Sequence, residues 1–179
     1  MDVRLAIASK RDHRDFDPRP VPEAVVTRIL DAGRLAGSAR NRQPWRFFLA
    51  DDPAARARLA ACVYVPGMVA SAPVAVAIAV ESAGSALSGF DAGRAAQNMM
   101  LAAWEEGVAS CPNGIANPAL AADVLRLGAS EVPVTVLALG FPAGPRDPAR
   151  RTPDEWSRRA RRSPLDRMVV RLPGSAVGA

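Results

Sequence analysis

The chain predicts a single α/β or α+β domain, and three observations carry that reading. Apolar residues recur at helical spacing in some segments and form short, β-branched runs in others, and the two kinds are interspersed. At 179 residues and 49% apolar content, the sequence can build one ordinary domain with a real core. No internal repeat divides it, so residues 1–179 are taken as one unit, and the spacing does not give the strand order.

Residues 3–9 read as a short amphipathic helix that stops at the basic knot Lys10-Arg11-Asp12-His13-Arg14. Asp17 to Pro22 is a proline-stiffened, extended connector. Pro22 then suits the first turn of a helix reaching about Ala36. Glu23 sits near its positive end, and Val25, Ile29, Ala32 and Ala36 lie on its buried face. Gly37 is expected to end it. Trp45 to Ala50 reads as a strand and Ala54 to Cys62 as a helix. Val74 to Val80 is unbroken apolar sequence with β-branched residues at alternate positions, the pattern of a buried strand.

A Gly/Ser-rich link from Ser82 to Gly89 precedes Asp91, expected as the N-cap of a long helix to about Glu106. Ala95, Met99, Met100 and Trp104 make that helix apolar over much of its surface, so it belongs in the domain core or a subunit interface. Ala109 to Ile115 reads as a strand running into a turn at Pro112-Asn113-Gly114. Pro118 to Leu127 follows as a helix, and Pro133 to Leu139 as another buried strand. Residues 142–163 read as a Pro/Arg-rich loop. Residues 164–179 read as a C-terminal tail with a strand-like patch, Met168-Val169-Val170.

Composition removes several function classes. The longest uncharged apolar run, residues 72–80, is far too short to span a bilayer. Charges at Asp2 and Arg4 argue against a signal peptide, so a soluble cytoplasmic protein is expected. Two cysteines and one histidine, His13, are too few for a disulfide scaffold or a structural zinc site, and no metal is expected. The single histidine also removes most His-based catalysis; an enzyme built from this chain would lean on a cofactor. The net charge of +5 could signal nucleic acid. However, the arginines are scattered, aromatics are only 5%, and no nucleic-acid module is visible.

Two cationic clusters lie at opposite ends of the chain. Lys10, the only lysine, stands with Arg11 and Arg14 at a helix end, and Arg162 lies in Arg161-Arg162-Ser163-Pro164-Leu165-Asp166. Arginine grips phosphate through a planar fork and lysine supplies a point charge, although either cluster alone could be a solvated patch. Between them, Ser38, Asn41 and Gln43 offer hydroxyl and amide groups that match a flavin ring or ribityl chain, or that simply satisfy their own loop. Backbone N–H groups of Asn113 and Gly114, after Pro112, could stabilise an electron-rich ring. A ligand with a dianionic end and a flat, hydrogen-bonding body fits this set, and flavin mononucleotide (FMN) is such a ligand.

These stretches also resemble a known family. Lys10 to Arg14, Ser38-Ala39-Arg40-Asn41-Arg42-Gln43-Pro44-Trp45, Asp91 with Asn98 to Ala103, and Pro164-Leu165-Asp166 together look like the FMN-dependent nitroreductases. The resemblance covers nearly the whole chain. It implies an α+β fold with a central mixed or antiparallel sheet flanked by helices. It also implies an intimate homodimer whose C-terminal tail reaches the partner, with FMN at the interface and the long helix largely in that interface. The phosphate grip falls on Lys10, Arg11, Arg14 and Arg162. Ser38 and Asn41 contact ring and ribityl from the neighbouring subunit, with Gln43 beside them, and Pro112-Asn113-Gly114 faces the flavin.

The implied activity is ping-pong hydride transfer from NAD(P)H through FMN to a nitroaromatic, quinone or related small acceptor. No catalytic side chain, nucleic acid or membrane is involved. Asp12 departs from the family's usual serine and is expected to pair with Arg11 or Arg14, or to turn to the ribityl hydroxyls. An Arg-Asp pair also occurs in the flavin-fragmenting dimethylbenzimidazole synthases, which usually lack an asparagine like Asn41. Gly37 replaces a common proline, and Val63-Tyr64-Val65 stands where relatives often place polar flavin contacts. A non-catalytic flavin-binding or basic adaptor protein is the third alternative.

Overall fold

Four antiparallel strands in the order β1-β2-β4-β3 form the centre of the computed structural model, which describes residues 1–81 and 87–172. Its elements are α1 (Val3–Ser9), α2 (Glu23–Arg34), β1 (Trp45–Ala50), α3 (Pro53–Ala60), α4 (Pro66–Ser71) and β2 (Val74–Glu81), followed by α5 (Leu87–Glu105), β3 (Ala109–Gly114), α6 (Pro118–Leu125), β4 (Glu131–Gly140) and α7 (Pro153–Arg159). The class is α+β, as the resemblance implied where the sequence pattern alone left α/β open, and the sheet is wholly antiparallel.

The unbroken apolar sequence of β2 follows from its position. It pairs β1 on one side (Phe47 with Ile78) and β4 on the other (Val76 with Leu137), and helices cover both faces. Val74, Val76, Ile78 and Val80 join one core with Ile29 of α2 and Met99 of α5. Ala75 and Ala77 join a second core with Leu59 of α3 and Ala121 of α6. Branched side chains thus fill one face, and alanines let α3 and α6 approach the other. Gly33 brings α2 onto α5: a Cβ there would lie 2.8 Å from Met99 Cγ and closer still to its methyl.

Several expectations need correction. Helix α2 ends at Arg34, capped by Leu35, not by Gly37, and its buried residues are Val26, Ile29 and Gly33. Helix α5 begins at Leu87, so Asp91 lies inside it and is buried rather than capping it. That helix packs chiefly against α2 and the sheet of its own chain, which makes most of its apolar surface core. Pro112-Asn113-Gly114 is not a turn but the end of β3, paired in register with Leu137, Val136 and Thr135.

Residues 142–163 are not loop throughout, because α7 forms there and packs against α1. Met168, Val169 and Val170 follow a short 3-10 turn (Leu165–Arg167) and form no strand. Residues 82–86 of the expected Gly/Ser link and 173–179 of the expected tail lie outside the described residues.

Candidate functional site

The two ends of the chain meet. Lys10, Arg11, Asp12 and Arg162 line one cleft of about 340 Å³, with Gln97 and Met100 of α5 and Pro112 of β3. Two connections bring them there. At the close of α1 the chain turns extended and docks on the edge strand: Asp12 bridges Ser110, and His13 N–H donates to Ser110 O at 3.2 Å. At the other end α7 lies against α1 and returns Arg162 to the same place.

Arg11 is the clasp between the two. Its Nη1 donates to Ala8 O and Lys10 O, both at 2.7 Å, and its Nη2 to Trp156 O at 3.1 Å. Burial, and then the nearby positive charge of Arg162, lower its pKa. No described carboxylate pairs with Arg11 or Arg162, so the cleft carries a surplus of positive charge. The expectation that Asp12 pairs with an arginine is corrected: its carboxylate takes Lys10 Nζ, which also sits 3.5 Å from Met100 Sδ. Arg14 is not among the residues of this cleft. It lines a neighbouring pocket with Asp12, His13, Asp15, Ala143 and Gly144.

The loop carrying Ser38, Asn41 and Gln43 is held in a costly conformation. Arg40, Asn41 and Gln43 have φ of 54°, 54° and 49°, the left-handed region that side chains disfavour. Local bonds hold it there: Gln43 N–H donates to Ser38 Oγ at 2.8 Å, and Gln43 Nε2 donates to Asn41 Oδ1 at 3.3 Å. Buried Asp91 accepts Ala39 N–H at 3.1 Å. Asn41 and Gln43 remain exposed, and none of the three lines the cleft of Lys10 and Arg162.

Next to the cleft, Asn113 does something the sequence did not announce. Its buried carboxamide accepts Val65 N–H at 3.3 Å and donates to Val65 O at 2.9 Å. Tyr64 N–H donates to Gly114 O at 3.2 Å, and Val63 bridges Ile115. Three consecutive residues are thereby pinned to the end of β3 and the residue after it, and the exposed Tyr64 ring lies so close over Gly114 that a Cβ there would meet it at 3.1 Å. Gln97 was missed by the sequence reading; Asp91 was expected as a helix cap, and Tyr64 only within the Val63-Tyr64-Val65 stretch where relatives often place polar flavin contacts.

A family model described as the Nitroreductase family matches residues 7–66 and 64–141. The chain belongs to that family. A protein of Methanothermobacter thermautotrophicus provisionally named as an NADH dehydrogenase/NAD(P)H nitroreductase is 30% identical over 150 residues, covering 80% of this chain and 78% of its own. A shorter stretch of 52 residues is 42% identical to a 5,6-dimethylbenzimidazole synthase of Rhodobacter capsulatus, covering 29% of this chain and 25% of that one. An FMN-dependent nitroreductase structure from Clostridium difficile R20291 superposes with a TM-score of 0.74 at 21% identity. It covers 79% of this chain and 88% of that one, and it shows the fold.

For a nitroreductase-family chain, which is a flavin oxidoreductase, the cleft fits a flavin phosphate by its donor chemistry. Lys10, Arg11 and Arg162 converge without enough anions to balance them, and a dianion supplies what is lacking. Among the described residues no cluster of His, Cys, Asp and Glu is arranged for a metal, and no helix is long and apolar enough to cross a membrane.

Proposed function

We propose that this chain is an NAD(P)H-dependent FMN oxidoreductase that works by a ping-pong mechanism on a nitroaromatic, quinone or related small acceptor. The observation that carries the reading is the convergence of Lys10, Arg11 and Arg162, from opposite ends of the chain, on one cleft. FMN bound there supplies hydride transfer between nicotinamide and acceptor. The chain's own groups bind and orient. Lys10 and Arg162 hold the phosphate, with the guanidinium edge that Arg11 does not spend on backbone carbonyls. Pro112, Asn113 and Gly114 form the wall beside the ring. No side chain here is assigned proton transfer.

A second copy of the chain completes the site. Ser38, Asn41 and Gln43 lie outside the cleft of their own chain, and their polar groups are assigned to the neighbouring protomer's flavin. Two uncovered surfaces support the homodimer: the exposed Leu87 and Phe90 on α5, and the exposed Leu165, Met168, Val170 and Leu172 towards the C-terminus. The working location is the cytoplasm, and neither nucleic acid nor membrane is a partner.

Purified protein should be yellow, and anaerobic NADH or NADPH should bleach it. Lys10→Ala combined with Arg162→Ala should strip the colour on gel filtration. Full flavin occupancy in that double variant would refute the assignment. The local likeness to a dimethylbenzimidazole synthase favours one other reading, oxygen-dependent destruction of FMN. That reading requires the reduced protein to lose its flavin absorbance permanently in air, whereas an oxidoreductase regains it.

A further inference from the structure

A second hollow adjoins the basic knot. Its volume is about 220 Å³, and it shares only Arg11 and Asp12 with the cleft of Lys10 and Arg162. None of Pro112, Asn113 and Gly114 lines it, so a molecule held here does not face the wall assigned to the flavin ring. Trp104 and Trp156 give it apolar walls, and Arg11, Arg146 and Arg150 stand beside them.

Both indoles are fixed in place. Trp104 Nε1 donates to Ser9 Oγ and Trp156 Nε1 to Pro148 O, each at 2.8 Å. With those N–H groups engaged, what the indoles have left to offer is ring surface. The guanidiniums rest against the same rings. Arg146 Cζ lies 4.2 Å from the Trp104 centroid, and Arg150 Cζ 5.5 Å from that of Trp156.

Positive charge is in surplus here. No described carboxylate pairs with Arg11, Arg146 or Arg150. Asp12 is taken by Lys10, and Asp147 Oδ1 accepts the backbone N–H of Arg150 at 3.2 Å. Arg146 Nη2 donates to Trp104 O, but its Nε is buried with no hydrogen-bond partner. An unpaired buried donor is costly, and an oxygen brought in beside it recovers that cost.

Aromatic walls together with unpaired guanidiniums select a ligand that carries both a ring and a negative charge. We propose that this hollow binds a small aromatic carboxylate, its ring against the indoles and its carboxylate on Arg146 and Arg150. The hollow is smaller than the roughly 300–1,000 Å³ of sites for drug-sized ligands, which suits a single ring and not a nucleotide. The assignment does not depend on the flavin reading of the neighbouring cleft.

The test is calorimetric titration of the purified protein with benzoate, with and without saturating FMN. Benzoate should bind in both cases with a Kd of about 1 mM or tighter. Acetate, which has the charge without the ring, and benzamide, which has the ring without the charge, should each bind at least about tenfold more weakly. Arg146→Ala should weaken benzoate by about tenfold or more, whereas Arg162→Ala, outside this hollow, should leave it within about twofold. Arg150→Glu, at an exposed position in the 3-10 turn Pro148–Arg150, serves if the Arg146 variant does not fold.

A benzoate Kd weaker than about 1 mM overturns the proposal, and so does acetate or benzamide binding as well as benzoate. Strict competition between benzoate and FMN places benzoate in the other cleft and also overturns it. Unchanged benzoate binding in a folded Arg146→Ala or Arg150→Glu protein does the same. If benzoate binds as expected while FMN does not, the flavin reading fails and this one stands.

Discussion

Asp91, buried in the second turn of α5, accepts the backbone N–H of Ala39 at 3.1 Å and so ties the longest helix to the loop of Ser38, Asn41 and Gln43. Arg94 Nη1 stands 3.7 Å from the other carboxylate oxygen. Three left-handed residues follow Ala39, so this bond works against local strain. Asp91→Ala should cost about 1–3 kcal/mol of unfolding free energy, because the Ala39 donor is left without its partner. Amide exchange should rise at residues 39–43 more than in the sheet. A variant of wild-type stability with an unchanged loop would remove Asp91 as the tether.

The Asn113 carboxamide is a second tether, between β3 and Val65. Asn113→Ala should cost about 1–3 kcal/mol, since both Val65 backbone groups lose their partner. Because Tyr64 is held by its neighbours and not by contacts of its own hydroxyl, Tyr64→Phe should leave stability unchanged. Urea denaturation of the two variants side by side checks the contrast.

How legible these features were depended on which force dominated each segment. β2 could be read because burial on both faces demands uninterrupted apolar sequence, and nothing else explains it. At Pro112-Asn113-Gly114 the turn chemistry was overridden by tertiary pairing. Strand β3 lies at the sheet edge, where proline is tolerated, and Asn113 uses its amide across to Val65 instead of in a turn. Asp91 was misread because helix-capping chemistry and a buried tertiary acceptor look the same in a sequence.

α7 was missed for a different reason: local composition read as a Pro/Arg-rich loop while a start signal was present. Thr152-Pro153-Asp154-Glu155 is a reciprocal capping box with proline in the first turn. The basic residues of the cleft were visible, but their division of labour was not, since nothing local shows Arg11 spending donors on Ala8 and Trp156.

His13 supplies a pH dependence with a definite sign. Burial foremost, then the charge on Lys10, push its imidazole below the ordinary value, with Arg146 adding to them and Asp12 opposing. Its ring also lies 5.7 Å from Trp104. The proton therefore prefers the unfolded chain. Above about pH 7 both states are neutral at this group and it contributes nothing. As the pH falls below about 6.5, the unfolded chain gains a proton that the folded one refuses, and stability drops until the lowered folded value is passed. The carboxylates of Glu106 and Glu131, held low by bonds to Arg28 and to Gly128, act only below about pH 4.5, so the two windows separate. Denaturant midpoints should decline from pH 7 to 5.5 in the parent, and His13→Gln should flatten that decline.

Asp12 offers the sharpest test of the cleft, because one substitution should move two observables in opposite directions. Lys10 is only 9% exposed at its side chain, and the Asp12 carboxylate is its one described ion-pair partner. Asp12→Ser leaves a largely buried ammonium without a counter-charge, so the flavin-free protein should melt several degrees lower, on the order of 1 kcal/mol for a chain of this size. The same vacancy improves the cleft for an incoming dianion, so FMN should bind up to about tenfold tighter, less so at high salt, where exposed charge is screened. If Asp12 instead accepts from the ribityl hydroxyls, the substitution must weaken FMN. Calorimetric melting of the flavin-free protein and FMN titration at two salt concentrations distinguish these outcomes, since only an Asp12 that competes with phosphate for Lys10 couples a less stable empty protein to a tighter complex.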